Sequence, residues 1–293
     1  MVANQLREAI VEGTVEALKR AVTILPPDVV NALKRAYEEE ISEAAKAQLK
    51  AILDNIEIAR NNAKPICQDT GLIIYYVKAG VKFPLLAELP HILEEATRKA
   101  TKEIPLRPNT VDPLTGKNPG DNTGRYVPYI HWELTSGDEV EIGIVPKGGG
   151  SEAVAMLRMP PPGKGVMGVY ETVLDAVLSA GAKPCPPTIV GVGIGGGADI
   201  AVNIAKKQAV LRRIGEKNPI PELAKLEEKL YNAINELGIG VMGMGGNHTV
   251  LAVHVDYAYR HPATYPVAVV FQCWAARRAF LRVKPDGTYE ISQ

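Results

Sequence analysis

The sequence predicts an α+β protein in which a helical N-terminal region precedes a mixed sheet flanked by helices. Residues 3–62 repeat apolar side chains at three- and four-residue spacing, which is typical of amphipathic helices. Later in the chain, short β-branched runs alternate with helical patterns and with Pro- and Gly-rich stretches. The 293 residues suit one large or two small domains. We expect one domain over 1–293, with a helical region (1–62) and an α/β core (63–293).

Local signals assign the elements in order. Pro26 and Pro27 divide the helical region into two stretches, and Pro27 suits the first turn of the second. Val140, Ile142 and Ile144 alternate with polar or small residues, as in a half-buried strand. A turn around Pro285 predicts a closing hairpin. The remaining predicted elements are strands at 72–77, 188–194, 250–257 and 267–271, helices at 86–101, 171–180, 198–214 and 221–237, and hairpin strands at 281–283 and 289–291.

Charge and hydropathy exclude several classes of partner. Lys+Arg and Asp+Glu each number 33, and a neutral chain gives no support to nucleic-acid or membrane-surface binding. No apolar run reaches the ~18 residues of a membrane span. The first residues lack the basic-then-apolar pattern of a signal peptide. We therefore expect a cytoplasmic protein with no nucleic-acid or membrane partner.

Three cysteines lie at the margins of predicted elements. Cys67 precedes a strand within Ile-Cys-Gln-Asp-Thr-Gly, Cys185 stands between prolines, and Cys273 ends a strand. Their odd number and wide spacing argue against disulfides and zinc ribbons. They could be three buried small hydrophobes. They could also ligate three irons of a [4Fe–4S] cluster, leaving the fourth iron as a Lewis acid suited to dehydration.

Two glycine-rich stretches and a long loop are further candidates. Gly148, Gly149 and Gly150 precede a helix start, so their N–H groups could bind an anion, although an ordinary strand-to-helix turn looks the same. The run 191–196 matches G-x-G-x-x-G, but no strand ending in an acidic residue follows at the distance a dinucleotide site needs. The loop 105–128 is long and proline-rich, as functional loops often are.

Histidines are more often structural than functional, and we expect this of His91 and His254. His261 differs because it lies just ahead of the strand that leads to Cys273. It could therefore reach the same site.

These segments together resemble class I fumarase. The likeness is strongest to the separate alpha subunit of two-subunit fumarate hydratase or L-tartrate dehydratase, and it runs from about residue 5 onward. The motifs that carry it are Ile-Cys-Gln-Asp-Thr-Gly at 66–71, the glycine turn at 147–152, Pro-Cys-Pro-Pro at 184–187 and Cys-Trp-Ala-Ala-Arg-Arg at 273–278.

The resemblance implies an activity and a set of site residues. The activity is the reversible addition of water to a small dicarboxylic acid, with fumarate and L-malate favoured over tartrate. A [4Fe–4S] cluster would have one iron not ligated by protein, and Asp69 would protonate the departing hydroxyl. The implied cluster ligands are Cys67, Cys185 and Cys273, and the implied substrate-binding residues are Gln68, Arg107, Gly149, Gly150 and His261.

The resemblance also implies a partner. Single-chain relatives carry a C-terminal domain that supplies the catalytic base, and no such domain follows Gln293. We therefore expect a beta subunit that supplies the base, in an α2β2 assembly. Two other functions stay open from the residues: a nucleotide-binding oxidoreductase that uses the loop 191–196, and a non-catalytic iron–sulfur or metal-binding module.

Overall fold

The computed structural model describes residues 2–293 and confirms the α+β class. The helices are α1 (Val2–Thr23), α2 (Pro27–Glu39), α3 (Glu43–Asn61), α4 (Leu89–Glu103), α5 (Gly149–Glu152), α6 (Val166–Ala180), α7 (Ala198–Leu211) and α8 (Pro221–Glu236). The strands are β1 (Leu72–Gly80), β2 (Tyr129–Thr135), β3 (Val140–Lys147), β4 (Met156–Arg158), β5 (Thr188–Gly195), β6 (Val250–Ala258), β7 (Val267–Gln272), β8 (Ala279–Val283) and β9 (Tyr289–Ser292). None of these helices has the length and apolarity that a bilayer crossing requires.

The helical region contains three helices rather than the predicted two. Helix α2 begins at Pro27, as expected. The additional break follows Glu40, whose carboxylate accepts the N–H groups of Ile41 at 2.9 Å and Ser42 at 3.0 Å. The Ser42 hydroxyl then accepts the N–H of Ala45 at 3.4 Å. Side-chain bonds of this kind replace helical ones, so they end one helix and begin the next.

The chain divides into two compact units, each built from separate segments. The first unit contains the residues up to Pro26 together with Ile56–Gly148 and Arg277–Gln293. The second unit contains Pro27–Asn55 and Gly149–Ala276.

The first unit is built on a five-stranded sheet in the order β2-β1-β3-β8-β9. Strands β1 and β2 are parallel, and the other pairs are antiparallel. Apolar side chains from α1 and α4 pack with those of the sheet, for example Leu18, Leu93 and Val77. Strand β3 is buried at nearly every position, not half-buried as predicted, because it lies between β1 and β8. Edge strand β2, which was not predicted, is partly or fully exposed throughout.

The second unit is built on a four-stranded sheet in the order β4-β7-β5-β6. Strands β5 and β6 are parallel, with α7 and α8 between them in sequence. A Cβ atom on Gly191 would lie 2.1 Å from the Ala205 carbonyl oxygen, and one on Gly193 would lie 2.0 Å from that of Ala201. These glycines let α7 pack directly on the backbone of β5. Helix packing therefore accounts for the G-x-G-x-x-G match, without a nucleotide.

Candidate active site

The loop that carries Cys67 connects α3 to β1. Ile66 is buried, and its N–H donates to the carbonyl oxygen of Val22 at 2.9 Å. Thr70 is also buried, whereas Cys67 and Asp69 are partly exposed and Gln68 is exposed. The loop is thus anchored on both sides of three residues that solvent can reach.

Gly71 allows this loop to pass against the end of β3. Its φ is +90°, and a Cβ atom at this position would lie 2.6 Å from the carbonyl carbon of Pro146 and 2.7 Å from the nitrogen of Lys147. Only glycine fits such an approach in this backbone region. The N–H of Gly71 donates to Asp69 Oδ1 at 3.0 Å, which fixes the carboxylate relative to the loop.

The Asp69 carboxyl group lies beside a buried arginine. Asn109 Nδ2 donates to Asp69 Oδ1 at 3.4 Å, and Arg277 Nη1 donates to the main-chain oxygen of Asp69 at 2.7 Å. A Cβ atom on Gly148 would lie 3.2 Å from Asp69 Oδ2 and 3.5 Å from Arg277 Nη2. The backbone of Gly148 therefore runs past both the carboxylate and the guanidinium.

Arg107 is held next to this loop by its main chain. Thr70 Oγ1 accepts the Arg107 N–H at 2.9 Å and donates to the Arg107 carbonyl oxygen at 3.3 Å. Asn122, buried and at φ +60°, donates from Nδ2 to the same oxygen at 3.2 Å. The Arg107 side chain itself is exposed. The first unit thus brings the predicted residues Asp69 and Arg107 onto adjoining, mutually bonded loops.

Buried cations add to this region, and sequence patterns gave them no role. Lys147 and Arg277 are 2% and 1% exposed, and among the described residues Arg277 Nε has no hydrogen-bond partner. Lys147 Nζ donates to the Gly148 carbonyl oxygen at 3.4 Å. Burying a charged side chain costs free energy unless a partner compensates for it. Buried cations are therefore candidates for a functional site. The sequence does contain Arg277 and Arg278 within the motif at 273–278. It does not show that these arginines are buried, so it could not identify them as part of the site.

In the second unit, Cys185 and Cys273 lie on adjoining segments. The N–H of Trp274, which follows Cys273, donates to the Cys185 carbonyl oxygen at 3.3 Å. Cys185 has φ +55°, a conformation rare outside glycine. Neither of them forms a disulfide, nor does Cys67, and all three are partly exposed. Partial exposure of all three does not fit the alternative in which they are small core-filling residues.

The remaining predicted residues of the second unit are Gly149, Gly150 and His261. Gly149 opens the one-turn helix α5, as predicted. A Cβ atom on Gly150 would lie 3.3 Å from the carbonyl oxygen of Lys183, two residues before Cys185. His261 lies on an exposed turn, where its Nδ1 accepts the N–H of Ala263 at 3.1 Å. The hydrogen bonds of His261 stay within this turn and do not involve the cysteines.

Cys67, Cys185 and Cys273 are the thiol donors of the chain. No three His, Cys, Asp or Glu side chains of residues 2–293 are grouped so that they could hold one metal ion. In a [4Fe–4S] cube each thiolate binds a different iron, so the ligands surround one cluster without sharing a single metal ion. Three accessible thiols are the soft ligands that iron–sulfur clusters take.

These features define the class of protein. A fixed carboxylate, an anchored arginine and buried cations form the kind of site that acid–base enzymes use on a small anion. The family model of fumarate hydratase (fumerase) matches residues 11–282. The chain therefore belongs to the fumarate hydratase family, and it is a hydro-lyase.

Two relatives support this assignment over nearly the whole chain. A Methanocaldococcus jannaschii protein named putative L(+)-tartrate dehydratase subunit alpha is 46% identical over 277 residues, covering 93% of this chain and 97% of its own. L(+)-tartrate dehydratase subunit alpha of Escherichia coli K12 is 39% identical over 288 residues, covering 98% and 93% respectively. Both names describe one subunit of a larger enzyme.

Proposed function

We propose that this chain is the cluster-bearing alpha subunit of a cytoplasmic hydro-lyase that interconverts fumarate and L-malate. The observation that carries the proposal is the Asp69 carboxylate, fixed by Gly71 and Asn109 beside the buried Arg277, in a chain of the fumarate hydratase family. The steps below assign a role to each group.

Asp69 acts as the general acid. Both of the N–H donors described above, Gly71 and Asn109, approach Oδ1, so this oxygen serves as an acceptor. In the dehydration direction, the Asp69 carboxyl group donates a proton to the departing hydroxyl group, and in hydration it takes the proton back.

Arg107 binds a substrate carboxylate. Its main chain is fixed by Thr70 and Asn122 while its guanidinium stays accessible, which is the arrangement that bidentate carboxylate binding requires. The buried charges of Lys147 and Arg277 favour an anion in the same region. The family resemblance adds substrate contacts from Gln68, the N–H groups of Gly149 and Gly150, and His261.

Cys67, Cys185 and Cys273 would hold a [4Fe–4S] cluster, with one iron left for substrate. When bound, such a cluster supplies a Lewis acid that polarises the hydroxyl group. The accessible thiols of the three cysteines support this assignment. The catalytic base would come from a beta subunit in an α2β2 assembly, a proposal that the alpha-subunit names of the relatives support.

L-tartrate dehydration is the second candidate. It is favoured by the names of the relatives from M. jannaschii and E. coli. Tartrate is also a hydroxy-dicarboxylic acid, so the same acid and the same arginine would serve.

Anaerobic steady-state kinetics of the complex with its beta subunit test both. We expect iron-dependent turnover and a higher kcat/KM for fumarate and L-malate than for L-tartrate. The reverse preference would establish the second candidate. An iron-free, colourless anaerobic preparation would contradict the proposed cluster.

A further inference from the structure

We propose that Glu40 is a positioning residue for Cys185. Its buried carboxylate holds residues 238–248, here named the glycine loop, and this loop fixes the backbone on both sides of Cys185. The proposal rests on the proposed function in one respect, because it takes Cys185 to be a cluster ligand. All of the residues involved belong to the second unit.

The Glu40 carboxylate is fully enclosed and has several donors. Its side chain is 0% exposed. Besides the N–H groups that end α2, it accepts the N–H of Asn247 at 3.0 Å, and it bonds Nδ1 of His248 at 3.0 Å. Burial alone would raise the pKa of Glu40, yet its hydrogen-bond donors, Ser42 first among them, lower it. The residue is therefore an anion at neutral pH, in contact with the end of the glycine loop.

The glycine loop is shaped around this carboxylate. Gly246 has φ +99°, and a Cβ atom at this position would lie 2.6 Å from Glu40 Oε1. Gly240 and Gly245 bring the two arms of the loop together, because a Cβ atom on Gly240 would lie 1.7 Å from the Gly245 carbonyl oxygen. The backbone of the loop can take this shape only with glycine at these positions.

The far side of the loop contacts the segment that carries Cys185. The N–H of Met242 donates to the carbonyl oxygen of Pro186 at 2.8 Å. A Cβ atom on Gly243 would lie 2.6 Å from Cβ of Ala182, whose carbonyl oxygen accepts the Cys185 N–H at 3.0 Å. The loop thus touches the chain three residues before Cys185 and one residue after it.

The backbone of Cys185 needs such support. Its φ of +55° is costly for a residue with a Cβ atom, and conformations of this kind persist only where the surroundings impose them. Releasing the loop from Glu40 removes that restraint from the Pro186 side. The Cys185 thiol then samples other positions, while Cys67, whose loop is anchored separately through Ile66, keeps its own.

The test compares Glu40→Gln with two matched controls in the full chain. Glu39→Gln removes a neighbouring charge whose side chain is 67% exposed and 3.7 Å from His248 Nε2. Asp28→Asn weakens a different anchor of α2, the 2.8 Å bond from the Ile214 N–H. Each iron-free chain is treated with N-ethylmaleimide, and the alkylation rate of each cysteine is read by peptide mass spectrometry.

We expect Glu40→Gln to speed alkylation of Cys185 by roughly tenfold, since it replaces charged hydrogen bonds with neutral ones. Cys67 should keep its wild-type rate, and both controls should leave the ratio of Cys185 to Cys67 unchanged. An unchanged ratio in Glu40→Gln would overturn the proposal, as would an equal acceleration of every cysteine. Should Glu40→Gln not fold, Glu40→Asp, which keeps the charge but shortens its reach, is judged by the same ratio.

A second measurement separates this proposal from the proposed function. After anaerobic reconstitution with iron and sulfide, Glu40→Gln should lose iron faster than Glu39→Gln. Failure of the wild-type chain to take up iron would count against the cluster alone, because the alkylation ratio is measured without iron. Equal iron loss by the two variants, with a wild-type alkylation ratio, would sink the role of Glu40 while leaving the cluster in place.

Discussion

Arg277 Nη1 donates a hydrogen bond of 2.7 Å to the main-chain carbonyl oxygen of Asp69, 208 residues away in sequence. The bond joins the loop before β1 to the residues that lead into β8, and the guanidinium is buried. A cation that bonds the backbone of Asp69 restrains the loop from which the Asp69 carboxylate projects. Both ends of this bond are therefore targets for substitution.

Asp69→Asn should lower turnover strongly without affecting the binding of the proposed cluster. Asparagine can accept the same N–H bonds, but it cannot deliver a proton, and a general acid contributes about 10²–10⁴-fold. We expect kcat to fall by that factor with iron content unchanged. Asp112→Asn is the control, because Asp112 is exposed and bonds only within its own turn. Wild-type turnover in Asp69→Asn would refute the role assigned to this carboxylate.

Arg277→Lys should lower kcat/KM by about 10–100-fold, because lysine keeps the charge but not the forked donors that reach the Asp69 main chain. Arg282→Lys serves as the control, since the Arg282 side chain is 50% exposed. The measurement is kcat/KM of the two variants, compared at equal iron content. Indistinguishable values would show that the bond to Asp69 has no catalytic effect.

Gly71→Ala should destabilise the protein far more than Gly116→Ala. Both glycines have positive φ, but a Cβ atom at position 71 meets the backbone of β3, whereas at position 116 nothing lies within 4 Å. The difference between the variants isolates the steric effect from the conformational cost of about 1 kcal/mol that both share. Thermal unfolding measures it, and equal melting temperatures would contradict the packing described here.

His254 should make stability fall as the pH falls. Burial and the nearby Arg212 lower its pKa to about 4, from 6.5. Between these values the unfolded chain binds a proton that the folded chain does not, so stability is full above pH 6.5 and is lost on acidification towards pH 4. The loss amounts to about 3 kcal/mol. Urea unfolding at pH 7.5 and 5 should show a smaller pH effect in His254→Gln than in the wild-type chain, with His91→Gln measured as the control substitution.

Strong local signals predicted most of the fold. Pro27 begins α2, the apolar run at Leu72 is β1, and the turn near Pro285 joins β8 to β9. Tertiary bonds explain the failures. The break after Glu40 depends on a carboxylate whose other partners, Asn247 and His248, are some 200 residues away, and no local pattern encodes them.

The site divides in the same way. A short motif pointed to the segment with Cys67 and Asp69, because reactive residue types stand together at the start of a strand, and the family resemblance added Arg107. Arg277 and Asn109 gained their place only in the structure, since burial and long-range hydrogen bonds decide it. Hydrophobic periodicity predicts which face of a helix or strand is buried, but not which element packs against that face. It therefore could not predict how separate segments of the chain combine into two units.

The order of strands in the first unit determines when its sheet can be completed during synthesis. Strand β3 is central, yet one of its neighbours, β8, belongs to residues 279–283. During synthesis, β3 must wait with an open, apolar edge until some 130 further residues have left the ribosome. Chaperones that shield strand edges should therefore raise the yield of this chain.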